Sequence, residues 1–395
     1  MSFAHLPVEL RQEIIVGLPR SDLVSLCLVS KAALALARPN LYRRVVFTFI
    51  DRRHHEAQLS EHRFRLAVAW SRMTEAQKAA SWLGAYGRFV READEAFERR
   101  FRFLERAPHL SNLIETVQAR GDGTIEGVFR KLDFIRFLAG CAKLRKFVAT
   151  GSLYHSGEHS EILNLVSPQI TSLVLDFGSC SSAALFTALK RLRVLRILEV
   201  SELVDDLDAP DPSALSLPYL ETIRWHANLG SNLFASMTPS FQSLVRLEVP
   251  NSVLDGLDSN NLSTLEHLDI TRHVNLSPYN DREESCAEAL CRILGRYAKL
   301  QTFATRTKYI GSNSRDDPGY RVLEEKDVLG LLPPGIRHAD FSIAFPYRYL
   351  REFLGRASPV HAFTLRVWSV HHTRREEEEL ASLGRLRGIE VVFKP

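Results

Sequence analysis

The sequence predicts an α/β protein in which three short N-terminal helices precede an array of strand–helix repeats around one parallel sheet. Residues 6–45 show apolar side chains at helical spacing, divided by proline and serine. Apolar triplets of the form L-x-x-L-x-L recur along most of the remaining chain, with helical patterns between them. Because strand and helix alternate, neighbouring strands are expected to run parallel, with the helices on the other side of the sheet.

The composition is that of a folded protein with two domains or an elongated repeat array. The chain has 395 residues, of which 45% are hydrophobic and 25% charged. Its 51 basic and 47 acidic residues leave a net charge of +4, so no nucleic-acid partner is expected. No apolar stretch reaches the length of a membrane span. Five irregularly spaced cysteines and no visible secretory signal favour a reducing compartment, the cytoplasm or the nucleus.

The first helix has a clear start, stripe and end. Pro7 suits the first helical position, where its missing N–H would have no partner. Leu10, Ile14 and Leu18 then recur every four residues and form one apolar stripe. Pro19 is expected to end this helix.

Two more short helices are expected before residue 40. Ser21 is a candidate cap for the second helix, and Ser30 for the third, which Pro39 is expected to end. Three helices of this length enclose too little interior to be stable alone. This segment should therefore pack on the rest of the chain, on a partner, or on both.

Residues 1–47 resemble an F-box of the type common in fungal proteins. The resemblance lies in four segments, 6–14 (LPVELRQEI), 18–23 (LPRSDL), 26–31 (LCLVSK) and 37–45 (ARPNLYRRV). One departure is that Ala33 and Leu34 stand where many F-boxes carry a tryptophan. The alternative interpretation is that these helices only form a cap on the repeat array.

The F-box resemblance implies binding to the Skp-family adaptor of an SCF (Skp–cullin–F-box) ubiquitin ligase, and through it to a cullin–RING ligase. Carried over by position, the adaptor-contact residues are Leu6, Pro7, Leu10, Ile14, Leu23 and Val29. The sequence leaves open which of them face the adaptor and which fill the core of the three helices.

Residues 48–108 are expected to form a helical linker packed on the first repeats. No proline interrupts residues 61–106. Phe89, Ala93, Phe97, Phe101 and Leu104 recur at intervals of three or four, with charged residues between them, as in an amphipathic helix.

Residues 109–395 resemble a degenerate leucine-rich-repeat domain. From Leu144 the triplets start about 21–26 residues apart, except for two steps of about 35. The triplets are Leu110/Leu113, Leu144/Phe147/Ala149, Ile170/Leu173/Leu175, Leu195/Leu198/Val200, Leu220/Ile223/Trp225, Leu244/Leu247/Val249, Leu265/Leu268/Ile270, Leu300/Phe303/Thr305, Ile336/Ala339/Phe341, Val360/Phe363/Leu365 and Leu386/Ile389/Val391. Helical patterns cover 182–192, 285–298, 326–332, 347–355 and 376–383.

This resemblance implies an irregular solenoid with the parallel sheet on its concave side and the helices on its convex side. Only Asn228 occupies the asparagine position that usually follows the triplet. The alternative is an ordinary doubly wound α/β domain.

A target is expected to bind the outward-facing side chains of the strands, since strand residues alternate between the two faces. The candidate contacts are Glu199, Arg224, His226, Glu248, Asp269 and Arg306. The polar loop at 309–320 is a second candidate. An ordinary solvated sheet face is the alternative.

The residue patterns give no candidate for catalysis, a cofactor or a metal. Cys286 and Cys291 lack the second ligand pair of a zinc site, and no glycine-rich phosphate loop follows a strand. We therefore expect a substrate-recognition subunit of an SCF-type E3 ubiquitin ligase, without catalytic activity of its own. A repeat scaffold outside any ligase, and an enzyme on a parallel-sheet fold, are the rival hypotheses.

Overall fold

A computed structural model gives the fold, and it forms two compact units, Met1–Leu195 and Arg196–Pro395. The structure describes residues 6–50, 101–104, 106–122, 137–150, 166–176, 180–203, 215–227, 229–250, 262–275, 299–310, 329–341, 345–356, 362–368 and 372–394. It also describes isolated positions, such as residues 163, 253 and 297. Most of the predicted helical linker, Asn228, residues 311–320, Cys286 and Cys291 lie outside these ranges.

Three helices open the first unit, as predicted: α1 (Val8–Gly17), α2 (Arg20–Val29) and α3 (Lys31–Arg43). Ser30 caps α3 by accepting a hydrogen bond from the backbone N–H of Ala33 at 3.1 Å. Two boundary predictions are wrong. Pro19, rather than Ser21, is the N-cap of α2. Helix α3 also continues through Pro39, because its last turn places Leu41 against the helical core, which offsets the backbone hydrogen bond that proline cannot make.

A parallel sheet of four strands follows: β1 (Arg44–Ile50), β2 (Thr116–Asp122), β3 (Lys146–Thr150) and β4 (Ser172–Asp176). Each strand pairs with the next one along the chain. A single turn, α4 (Pro108–Ser111), precedes β2, and α5 (Ser182–Leu189) follows β4. Strand β1 was not predicted, and it spans residue 47, where the F-box resemblance ends.

The second unit continues the strand–connection alternation with eight strands. They are β5 (Ile197–Val200), β6 (Thr222–Trp225), β7 (Arg246–Pro250), β8 (His267–Asn275), β9 (Thr302–Ile310), β10 (His338–Asp340), β11 (Phe363–Trp368) and β12 (Ile389–Lys394). Successive strands again pair in parallel. This confirms the α/β class and the parallel strand order.

Helices and 3₁₀ turns connect these strands. They are α6 (Ser231–Met237), α7 (Tyr347–Arg356) and α8 (Arg374–Leu386), with 3₁₀ turns at Thr238–Ser243 and Leu329–Leu331. The predicted helical patterns at 182–192, 347–355 and 376–383 are confirmed by α5, α7 and α8. Within the described ranges, no helix is both long and apolar enough to cross a membrane.

The core lies between the sheet and its connecting segments. Trp225 of β6 packs edge-on against Phe234 of α6, with ring centroids 5.5 Å apart, and Phe234 contacts Phe241 of the following 3₁₀ turn at 5.5 Å. Leu247 and Leu268, at the centres of their predicted triplets, are at most 1% exposed. The inward apolar stripe is therefore confirmed in this part of the array.

Three of the predicted triplets are wrongly placed. The buried residues in β2 and just before it are Ile114, Val117 and Ala119. Leu110, which the predicted triplet includes, lies in α4 instead. In β11 it is Leu365 that aligns with the buried Ala339 of β10, so the predicted triplet at 360–365 begins two residues early. Leu386 is 78% exposed at the end of α8. A strand with an apolar residue at every second position fits two registers, and only pairing with its neighbour selects one.

Candidate functional site

The three N-terminal helices enclose a small core of their own. Three side chains are buried at its centre, and five more pack around them. These residues are Ile15, Leu23, Ala37, Leu18, Leu26, Cys27, Leu36 and Leu41. This set decides which of the predicted adaptor contacts are available to a partner, since a side chain in the core cannot also face outward.

Most of the predicted adaptor contacts lie on the surface. Pro7, Leu10, Ile14 and Val29 are exposed, with Val29 at 74%, and Leu6 is half-buried. Leu23 is only 6% exposed and belongs to the helical core, so its predicted role as an adaptor contact is corrected.

Further exposed apolar side chains on the helices were not among the predicted adaptor contacts. They are Val16, Val24, Leu28 and Leu34, with Leu28 the most exposed at 85%. Leu28 follows Val24 by four residues, and this helical spacing could have identified them as a second apolar stripe. We call the exposed apolar residues of α1–α3 the helical patch.

The helices are fastened to the first sheet without an intervening linker. Helix α3 ends at Arg43, and β1 begins at Arg44. The backbone oxygen of Arg43 accepts a hydrogen bond from the N–H of Glu115 at 2.9 Å, and its guanidinium pairs with the Glu115 carboxylate at 2.7 Å. Arg38 contacts His109, and Tyr42 stacks on Phe103 with centroids 6.2 Å apart.

A second candidate surface is the outward face of the strands in the second unit. The strand register places one residue of each strand, on the face opposite the apolar stripe, in a single row across the sheet. Glu248 and Asp269 of this row are buried. The row reads Glu199, Arg224, Glu248, Asp269, Ala304, Asp340, Arg366 and Val392. We call it the charged row. Four of the six predicted target contacts therefore lie side by side in it.

Arg224 is the centre of an ion-pair network in the charged row. Its guanidinium lies 3.0 Å from the carboxylate of Glu199 on β5 and 3.2 Å from that of Glu248 on β7. Arg246 approaches the same oxygen of Glu248 at 2.8 Å. Partial burial alone would lower the pKa of Arg224, but hydrogen bonds to Glu199 and Glu248 and their charges outweigh it and raise the pKa.

The other two predicted target contacts lie beyond the row. His226 follows β6, and its backbone N–H donates to the oxygen of Val200 at 2.7 Å. Arg306 belongs to β9 two residues after Ala304, and its side chain lies outside the described part of the structure.

Sequence reasoning missed a hollow on this face. It has a volume of about 290 Å³, and its floor is formed by Thr302 and Ala304 of β9. His267 and Asp269 of β8 flank it on one side. His338 and Asp340 of β10 flank it on the other. The two flanks share a His-x-Asp pattern, which was visible in the sequence but meaningless without the register that aligns it.

The thiol of Cys141 is buried in the first unit. Burial raises the pKa of the Cys141 thiol to about 12, and its sulfur lies 3.3 Å from the backbone oxygen of Phe137. The thiol of Cys180 donates to the backbone oxygen of Ser181 at 3.5 Å. In the described ranges, no three His, Cys, Asp or Glu side chains are grouped closely enough to hold a metal ion.

No protein-family model matches the chain, and no curated protein matches it. A search of solved structures matches a crystal structure of a TLR13–ssRNA13 complex, with 12% sequence identity and a TM-score of 0.32. The match covers 66% of this chain and 36% of the solved chain, so this chain spans about a third of that protein.

Proposed function

We propose that the chain is a substrate-recognition subunit of an SCF-type E3 ubiquitin ligase, acting in the cytoplasm or nucleus. The N-terminal helices bind a Skp-family adaptor, and the strand array holds a protein target. The observation that carries the proposal is the helical patch, an exposed apolar surface on helices whose own core is small. The F-box resemblance of the same residues supplies the identity of the partner.

The energetic argument concerns the apolar side chains that the three helices leave in water. Leu28 and Val29 are both more than 70% exposed. Burying one such side chain against a partner contributes about 1.5–3 kcal/mol. Contiguous exposed apolar surface is typical of a protein-binding site, and Leu28 and Val29 are neighbours in the chain. Leu10 and Ile14, each more than 40% exposed on α1, extend the same kind of surface.

The chain contributes geometry in this proposal, and the other ligase subunits perform the chemistry. Holding a target beside the ubiquitin-carrying enzyme raises its effective concentration, which accelerates transfer without any reacting group from this protein. We accordingly assign no catalytic residue, cofactor or metal to the chain.

The test is direct binding of the purified chain to a purified Skp-family adaptor by isothermal titration calorimetry. The variant L28S/V29S should bind at least about tenfold more weakly, because it removes two apolar contacts. Leu386→Ser is a matched control, since this leucine is 78% exposed but lies in the second unit. It should bind the adaptor like the wild type.

Failure of the wild-type chain to bind any Skp-family adaptor would reject the ligase proposal. A repeat scaffold working outside a ligase would then be the better hypothesis. The Arg224 network, which joins side chains of β5, β6 and β7 within the second unit, is the observation that favours that alternative.

A further inference from the structure

Strand β12 forms one edge of the sheet in the second unit. It pairs in parallel with β11 from Ile389 to Lys394, and with no other strand in the part of the chain that the structure describes. The side chains of its last four residues are half-buried. An edge strand carries unpaired backbone N–H and C=O groups, which are a template for a strand of another polypeptide. The backbone and side chains of β12 therefore decide which strand can pair with it.

Backbone groups alternate in direction along a parallel strand, so each residue bonds either to the strand before it or to the strand after it. In β11, the N–H of Thr364 donates to the backbone oxygen of Arg337 at 2.9 Å, on the side of β10. The backbone oxygen of Arg366 accepts from the N–H of Phe341 at 2.9 Å, on the same side. The residue between them, Leu365, therefore bonds to β12.

The register carries this alternation into β12. Glu390 is aligned with Thr364, whose backbone groups bond to β10. In a parallel pair such a residue is aligned with one that bonds back to its own strand, so Glu390 and every second residue after it bond to β11. The N–H and C=O groups of Val391 and Phe393 consequently point to the open edge. The first outward carbonyl, that of Ile389, is already packed against α8.

A second copy of β12 running antiparallel could meet this edge in several registers, each with its own two-fold axis. Backbone pairing requires the outward residues of the two strands to lie opposite one another. An axis at Glu390 would place that carboxylate opposite itself, and like charges directly opposite are destabilising. An axis at Val391 would need the carbonyl of Ile389 for its outer pairs, and α8 covers that carbonyl.

An axis at Val392 has neither problem. It places Val391 of each copy opposite Phe393 of the other, and both pairs can exchange their outward N–H and C=O groups. An axis one residue further on would instead place Val391 opposite Pro395, which has no N–H to donate. The backbone therefore selects the axis at Val392.

The axis at Val392 also matches the charges. It places Glu390 of each copy opposite Lys394 of the other, and opposite charges in such positions stabilise a strand pair. Glu390 is exposed and accepts a hydrogen bond from the neutral hydroxyl of Thr364 at 3.0 Å. Lys394 donates to Asp340 of its own chain, and its ammonium group has further N–H donors. The charges thus favour this register, while the backbone groups carry the pairing.

We propose that the protein forms a two-fold symmetric dimer in which β12 pairs antiparallel with β12 of a second copy about Val392. The strand has six residues, so the contact is small and the dissociation constant is on the order of micromolar. The dimer does not rest on the ligase proposal. Under that proposal, each dimer carries two helical patches and can hold two adaptors.

Disulfide trapping in the full-length chain tests the register directly. The two Val392 Cα atoms would lie about 4.5 Å apart, within the span of a disulfide, so Val392→Cys should form covalent dimers under mild oxidation. Arg366→Cys, the register neighbour on β11, is the matched control. Its two Cα atoms would lie three strand spacings of about 4.8 Å apart, too far for a disulfide. Covalent dimers of both variants in equal yield, or of neither, would overturn the proposal.

Charge reversal tests the same contact in solution by sedimentation equilibrium. The wild type should show a monomer–dimer equilibrium. Val392→Glu places two carboxylates opposite each other at the axis and should weaken association at least about tenfold, and Val392→Lys should do the same. Mixing these two variants places glutamate opposite lysine and should restore a dimer. Tyr219→Glu adds the same charge at a 55% exposed residue of the second unit and should dimerise like the wild type.

Thermal unfolding separates lost pairing from misfolding, since both Val392 variants should melt like the wild type diluted below its dissociation constant. A wild type that stays monomeric far above micromolar concentration would refute the dimer and leave the edge to a strand of another polypeptide. Undiminished dimerisation of both variants, or a mixture of them that stays monomeric, would equally refute it. Adaptor binding plays no part in these measurements, so the ligase proposal stands or falls separately.

Discussion

The inward apolar stripe of the strands makes a quantitative prediction at Leu247. This residue is fully buried in β7, aligned with the equally buried Ile223 and with Leu268, which is 1% exposed. Leu247→Ala removes three buried carbon atoms, which at about 0.8 kcal/mol each amounts to roughly 2.4 kcal/mol of lost transfer free energy. The remaining cavity adds to this, so we expect a total loss of about 3–4 kcal/mol.

The same substitution at an exposed leucine supplies the control. Leu386 is 78% exposed, so Leu386→Ala should cost less than about 0.5 kcal/mol. Urea unfolding of both variants, followed by tryptophan fluorescence, gives the change in midpoint, which the slope of the transition converts to free energy. Trp225 on the neighbouring strand reports on the affected region. Equal midpoint shifts for the two variants would refute the inward assignment of Leu247.

Three further predictions concern α8. Gly384→Ala should destabilise the protein by about 1–3 kcal/mol, because a methyl group there would lie 2.6 Å from the backbone oxygen of Ile389. Thermal melting measures the effect. The control variant is Gly355→Ala, whose methyl group would meet nothing within 4 Å. Thr373→Ala removes the N-cap of the helix and should cost about 1 kcal/mol in the same assay; an unchanged melt would contradict the cap. Hydrogen bonds from the backbone and then the side chain of Thr373 lower the pKa of Glu376 in the folded protein. The ionised carboxylate therefore stabilises the fold above the unfolded-state pKa of about 4.3, and this stabilisation disappears as pH falls through the folded pKa. The difference in stability between the wild type and Glu376→Gln should vanish in acid.

Local patterns predicted the elements well where chain chemistry alone determines them. Ser30 was identified as a cap, and it accepts the expected hydrogen bond. The helix over 347–355 was visible from its spacing, and Leu350 and Leu354, four residues apart, are fully buried. The end of α3 was not predictable in the same way. A proline disfavours helix locally, but the packing of Leu41 lies outside any local window and outweighs that preference.

Strand β1 and the hollow were missed because both depend on partners distant in sequence. Val45 and Phe47 lie at the end of the F-box resemblance, where no strand was predicted, yet they align with Val117 and Ala119 of β2. Ala304 carries no chemical signal of its own. It becomes part of a candidate site only because the register places it between two acidic residues that are each roughly 35 positions away in sequence. Variable connections between strands prevent such lateral alignment from being read from the sequence.

The direct passage from α3 into β1 has a consequence for the proposed ligase. The Arg43–Glu115 ion pair is partly exposed on both sides, and such pairs contribute only about 0–1 kcal/mol. The stronger constraint is the register of β1 on β2, which runs over seven residues from Arg44 to Ile50. A flexible linker would spread a bound target over many distances from the adaptor and so dilute its effective concentration. Because β1 continues α3 without a break, the helical patch stays at a fixed spacing from the first strands, so no such dilution arises within the first unit.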